Sequence, residues 1–111
     1  MTQHSPTVRM RHMLDHAKEA IDLVAGKEKA EIFRNRVLEL ALVRLVEIVG
    51  EAANRLPVED QLRYPSIPWR EVVGMRNRLV HGYDAIDLNV LWDTLQIDLP
   101  QLIEELERIL S

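Results

Sequence analysis

Apolar residues recur at spacings of three and four along most of the chain, the period of a helix that buries one face. Met10, Leu14, Ala17, Ile21 and Val24 form a first stripe, which predicts a helix from about Pro6 to Ala25 with Gly26 as its stop. A short helix is predicted over Lys27 to Phe33, and a longer one from about Arg36 to Leu56, ended by Pro57. The longer one carries two stripes: Leu38, Leu42, Leu45, Val49, Ala52 and Leu56, then Val43, Val46, Gly50 and Ala53. Two stripes need two partners, so this helix is expected at the centre of a bundle or shared with a second subunit. Gly50 costs about 1 kcal/mol of helix propensity relative to alanine, which a close helix approach would justify. Pro57, Pro65 and Pro68 punctuate a connector. Pro68 suits the first turn of a helix running to about His81 and stopped by Gly82. Asp87 reads as the N-cap of a last helix. There Leu88, Trp92, Leu95, Leu99, Leu102, Leu106 and Ile109 keep the rhythm, and Pro100 should introduce a kink. No stretch alternates like a strand. The pattern predicts an all-α antiparallel bundle of about four to five helices, with residues 1–111 as a single domain.

Composition narrows the chemistry. Cysteine is absent, which excludes disulfides, thiolate metal sites and thiol catalysis and fits a reducing cytoplasm. No apolar run approaches the roughly 18 residues of a membrane span. The polar stretch from Met1 to Arg11 lacks the apolar segment of a secretory signal, so a cytoplasmic protein with no membrane partner is expected. The net charge of −4 is unevenly distributed. Arg63, Arg70, Arg76 and Arg78 outnumber the lone acid Glu71 between Arg63 and Tyr83, whereas acids dominate from Asp84 onward. Local anion binding is compatible with this balance, and tight binding of DNA through bulk charge is not.

Three groupings could carry chemistry. His12 and His16 are four apart, a spacing that can place two imidazoles on a metal, but the glutamate of the zinc-protease motif is missing and both lie off the apolar stripe. A solvated helix face is the better reading, and no metal site is expected. Glu47 and Glu51 share a polar strip with Arg44 and Arg55, which fits salt bridges along a helix or support for an adjoining site. The stretch from Arg76 to Tyr83 (Arg-Asn-Arg-Leu-Val-His-Gly-Tyr) gathers two guanidinium groups, an amide, an imidazole and a phenol. Arginine suits phosphate as a rigid, always-charged fork, and histidine exchanges protons near neutral pH. Together they suffice to cut a phosphodiester without metal when the substrate brings its own nucleophile, as RNA does in its 2′-hydroxyl. Spacing alone decides little, since Arg11 and His16 repeat it.

The segment resembles the signature of the HEPN superfamily, Arg-x4-6-His with a polar residue after the arginine. Its longer form, Arg76-x4-His81-x-Tyr83, resembles the HepT branch. The stretch from Val49 to Leu56 is similar to the branch's Ile-Gly-Glu-Ala segment, Ile67 to Glu71 to its Pro-Trp segment, and Asp87 with Trp92 to its Asp-Leu…Val-Trp segment. Departures are small: Val49 stands where isoleucine is common and Leu45 where a polar residue is frequent.

The resemblance implies a homodimeric HEPN-like bundle acting as a metal-independent RNase toxin of a type VII toxin–antitoxin system, with no cofactor. It also implies an antitoxin partner, the minimal nucleotidyltransferase MntA, which transfers AMP from ATP to the tyrosine of the motif, here Tyr83. On this reading His81 is the general acid or base and Arg76 stabilises charge on the phosphate. Asn77, Arg78 and Glu51 are supporting residues. Arg76 and His81, five apart on a regular helix, would point about 140° apart, a mismatch that a two-fold dimer would resolve. Two other readings stay open: a non-enzymatic subunit that presents a nucleotide or substrate to a nucleotidyltransferase, and a purely structural helical dimer. For Tyr83, position alone favours a ring packed on the bundle with its hydroxyl in water, and it is the resemblance that turns the reading to an AMP acceptor.

Overall fold

The computed structural model describes residues 5–111; the first four residues of the polar N-terminal stretch lie outside the described residues. Helix α1 (Pro6–Val24) starts where Ser5 accepts a hydrogen bond from the Val8 amide, with Pro6 in the first turn. It stops at Gly26, whose φ of 76° is open to glycine at little cost. Helix α2 (Lys29–Phe33) is a single short turn, and α3 (Arg36–Asn54) begins with Asn35 accepting from the Leu38 amide. The proline-punctuated connector contains one further turn, α4 (Val58–Gln61), which the sequence pattern leaves unassigned. Helix α5 (Trp69–Leu79) follows, then α6 (Leu88–Asp93) and α7 (Leu99–Leu110).

The core is aliphatic, as the low aromatic content requires. Met10, Leu14, Ala17, Leu42, Val46, Val49, Leu79, Leu91, Leu95, Leu99 and Leu106 are among its buried members. Helix α3 packs between α1 and α5, and α1 also packs on α7. Most of the second stripe of α3 is thus covered within the chain: Val46, Gly50 and Ala53 are buried, with Gly50 against α5, and Val43 is partly buried. Of the two arrangements expected for this helix, the structure shows the first, a place at the centre of the bundle between α1 and α5. The apolar side chains α3 leaves in solvent lie on a third face, where Val37 is 77% and Leu40 50% exposed.

Gly50 marks the crossing of α3 and α5. A Cβ there would sit 3.3 Å from the carbonyl oxygens of both Val72 and Val73, so the glycine lets two backbones meet. The start of α5 is locked by tryptophan. The Trp69 indole donates to the carbonyls of Gln61 (3.0 Å) and Tyr64 (3.1 Å), while the Gln61 amide reaches back to those of Ala53 (3.1 Å) and Leu56 (3.3 Å). Pro68 acts as the N-cap of α5 rather than its first helical residue.

Two differences from the sequence pattern matter. First, α5 stops at Leu79, and Val80–His81 (β1) pairs antiparallel with Ala85–Ile86 (β2), a two-residue ladder where no strand is expected. β-Branched Val80 adopts extended backbone, and Gly82 (φ 68°) opens the turn. The Leu79 carbonyl, which a helix end leaves unpaired, accepts from the Asp87 amide at 2.7 Å. Second, the last helix, in which a kink is expected at Pro100, is interrupted one turn before that proline. Between α6 and α7 the chain widens into a π turn (Thr94–Asp98), in which the Leu99 amide bonds to the Thr94 carbonyl. Pro100 has no amide for the Gln96 carbonyl, and the wider turn absorbs the mismatch. Among the described residues no helix is long and apolar enough to cross a membrane.

Candidate active site around Arg76 and His81

Helix α5 delivers Arg76 and Arg78 to opposite sides. Positions two apart on a helix differ by about 200°. Arg76 turns toward α3, where its Nε lies 3.4 Å from Glu47 Oε2. Arg78 turns toward the π turn and α7, with Nη2 3.9 Å from Asp98 Oδ2 and Nη1 donating to the Glu71 carbonyl at 3.2 Å. The structure therefore does not bring Arg78 to Arg76. Asn77 does join Arg76, and both line an open cleft of about 350 Å³ whose other walls are Glu47, Gly50, Glu51, Asn54 and Val73. Gly50, at the close crossing of α3 and α5, is thus part of its lining.

Glu47 is the carboxylate that meets Arg76. Its other oxygen, Oε1, is bonded by Arg44, which also lies 3.7 Å from Glu51 Oε1. The chain Arg76–Glu47–Arg44–Glu51 is thus a continuous alternation of charge along one edge of α3. Glu51 lines the cleft but pairs with Arg44. All four side chains are partly open to solvent, so each pair contributes little to stability, on the order of 0–1 kcal/mol. An incoming phosphate could exchange for Glu47 at small cost.

His81 lies beyond the helix end, in β1. Within one chain it does not share the Arg76 cleft. Its partner is Asp87, whose Oδ2 is 3.7 Å from His81 Nε2. The other oxygen of Asp87 caps α6, accepting from the amides of Asn89 (3.1 Å) and Val90 (3.0 Å). The sequence identifies Asp87 as a cap and as part of the Asp-Leu…Val-Trp resemblance; its approach to His81 depends on the β1–β2 turn and leaves no local signal. Tyr83 occupies the turn itself and is 97% exposed, which removes the alternative of a ring packed on the bundle.

The His12–His16 pair is engaged otherwise. His16 Nδ1 lies 2.6 Å from the His12 carbonyl; since a carbonyl only accepts, this nitrogen carries the proton. The two rings meet edge to face at 6.4 Å between centroids. Among the described residues, no three histidine, aspartate or glutamate side chains gather as metal ligands.

Comparison with known proteins now decides the family. The family model described as "Ribonuclease HepT-like" matches residues 13–109. The chain belongs to the HepT-like ribonuclease family. A probable ribonuclease HepT of Thermococcus cleftensis is 34% identical over 100 residues, covering 86% of this chain and 91% of the relative. A candidate RNase of Caldanaerobacter subterraneus subsp. tengcongensis is 32% identical over 107 residues, covering 96% of each. Another, from Methanocaldococcus jannaschii, is 32% identical over 99 residues, covering 89% of this chain and 82% of the relative. No solved structure gives a significant match. The HepT-like match spans the Arg76 cleft, the β1–β2 turn and the Trp69 lock alike, so the motif sits in a chain that is HepT-like throughout.

Proposed function

We propose that this HepT-like chain is a metal-independent endoribonuclease that works as a homodimer, each chain contributing one helical domain. The observation that carries the reading is the half-exposed guanidinium of Arg76 in an open cleft beside Asn77, paired with an exchangeable carboxylate. In the reaction the 2′-oxygen of RNA attacks the adjacent phosphorus and the bond to the 5′-oxygen breaks, leaving a cyclic phosphate and a 5′-hydroxyl. His81 takes the proton from the 2′-hydroxyl or gives one to the departing oxygen. Arg76 stabilises the charge that accumulates on the phosphoryl oxygens, an effect worth about 3–4 kcal/mol in comparable sites. Asn77 orients the phosphate, and Glu51 keeps Arg44 on the cleft's edge. Arg78, on the far side of α5, serves the fold or a more distant part of the substrate.

The homodimer is supported by the third face of α3, where exposed Val37 and Leu40 lead directly to Arg44 and Glu47. A second copy on this face would bury both and bring a second His81 toward Arg76. The reading extends to a cytoplasmic toxin of a type VII toxin–antitoxin pair. An MntA-like nucleotidyltransferase would silence it: Tyr83 Oη attacks the α-phosphorus of ATP, pyrophosphate leaves, and the phenolic proton passes to solvent. The 97% exposure of Tyr83 on a turn two residues from His81 supports this role. The bulky anion would then block approach of RNA to His81.

The deciding experiment is cleavage of a labelled single-stranded RNA by the purified chain in excess chelator. His81→Ala and Arg76→Lys should each abolish cutting with helicity retained, since a point ammonium cannot replace a bidentate fork. Cleavage that survives both substitutions, or that stops in chelator, overturns the mechanism.

A further inference from the structure

The cap of α6 and the imidazole of His81 share one carboxylate. Asp87 Oδ1 is fixed by the Asn89 and Val90 amides, at 3.1 and 3.0 Å. The Asp87 backbone is fixed as well, its amide donating to the Leu79 carbonyl at 2.7 Å. On the opposite side, pairing of Val80 with Ile86 and of His81 with Ala85 holds the histidine backbone in register. Both ends of the contact are thus anchored by main-chain bonds, and Oδ2 is the one Asp87 atom left for the ring. It stands 3.7 Å from Nε2, in ion-pair contact and just beyond hydrogen-bond distance. An ionised carboxylate only accepts. A hydrogen bond closed across this contact requires the proton on Nε2, which leaves the lone pair of the neutral ring on Nδ1.

We propose that Asp87 is the positioning residue for His81: it holds the ring as the Nε2–H tautomer and aims Nδ1 at the RNA. This rests on the ribonuclease reading for its catalytic consequence, but not for the tautomer. Asp87 touches neither RNA nor the reacting atoms and acts through the imidazole. The same contact gives the short turn its purpose, since a helix continued through His81 would carry the ring away from Asp87.

Substitution can separate cap from orienter. Asp87→Asn retains an oxygen that caps α6 as well as aspartate does, while placing an amide donor or an uncharged acceptor before the ring. Asp87→Ser retains the cap and removes the reach altogether. Both variants should keep the wild-type thermal midpoint and KM. Both should lose about 10- to 100-fold in kcat, by analogy with the loss when the carboxylate behind a metal-bound histidine is removed. The independent arm is nitrogen-15 NMR of the neutral His81 ring. The wild type should show Nε2 protonated and Nδ1 bare, and Asp87→Ser should show a mixture of the two tautomers. A wild-type ring protonated on Nδ1, or full kcat in both variants, would overturn the proposal. If His81→Ala itself cuts RNA normally, the ribonuclease reading fails, and the tautomer measurement still decides whether Asp87 orients the ring.

Discussion

Replacing Gly50 with alanine sets two effects of opposite sign against each other. Alanine is favoured over glycine inside a helix by about 1 kcal/mol. The new methyl, however, would stand 3.3 Å from both the Val72 and the Val73 carbonyl oxygens, tighter than ordinary van der Waals contact. Neither oxygen can swing aside, because each belongs to the backbone of α5. The helices must separate, and overpacking of this kind costs about 1–3 kcal/mol. The net expectation is a loss of up to about 2 kcal/mol, or a fall of roughly 8 °C in the thermal midpoint for a domain of this size. Gly74, on α5 itself, is the internal control. A Cβ there meets only the flexible end of Arg78, at 3.8 Å. Gly74→Ala should therefore keep the propensity gain of about 1 kcal/mol and raise the midpoint by a few degrees. Paired thermal scans followed by circular dichroism decide the matter. Because α5 carries Arg76, Gly50→Ala should also loosen its contact with Glu47 and lower RNA cleavage at temperatures where the protein remains folded. A midpoint that rises as much as that of Gly74→Ala would refute the close-crossing argument.

Further outcomes can be checked separately. Tyr83→Phe should cut RNA as the wild type does but gain no mass after incubation with a cognate nucleotidyltransferase and ATP, whereas intact-mass spectrometry of the wild type should show added AMP. Leu40→Glu, on the exposed face of α3, should convert a dimer to a monomer in light scattering without loss of helicity, because that side chain is not part of the core. Hydrogen bonds from Arg108 and Ser66 hold the Glu105 carboxyl below the usual glutamate range. The lowered folded-state value means that the contact stabilises at neutral pH and loses its contribution as pH falls through that value. Arg108→Ala should move the Glu105 carboxyl titration, followed by NMR, back up toward the ordinary range.

Much of the fold could be read from local pattern, because a helix announces itself every 3.6 residues and its ends carry their own chemistry. The stripes of α1 and α3, the stop at Gly26, the tight crossing at Gly50 and the cap at Asp87 all follow from residues within a few positions of one another. The opposite aims of Arg76 and Arg78 were open to the same arithmetic, although a motif read as a string places them side by side. Tertiary structure alone decided which carboxylate each catalytic candidate meets. Glu47 reaches Arg76 through the packing of α3 on α5, and Asp87 reaches His81 through a turn that ends α5 early. Periodicity was silent on that turn, since two-residue strands are too short to alternate and their pairing depends on the Leu79 carbonyl finding the Asp87 amide. It also left open what covers the second α3 stripe. An apolar face shows that something must lie on it, but only the three-dimensional path of the chain shows that α5 does, and that the face left open instead carries Val37 and Leu40.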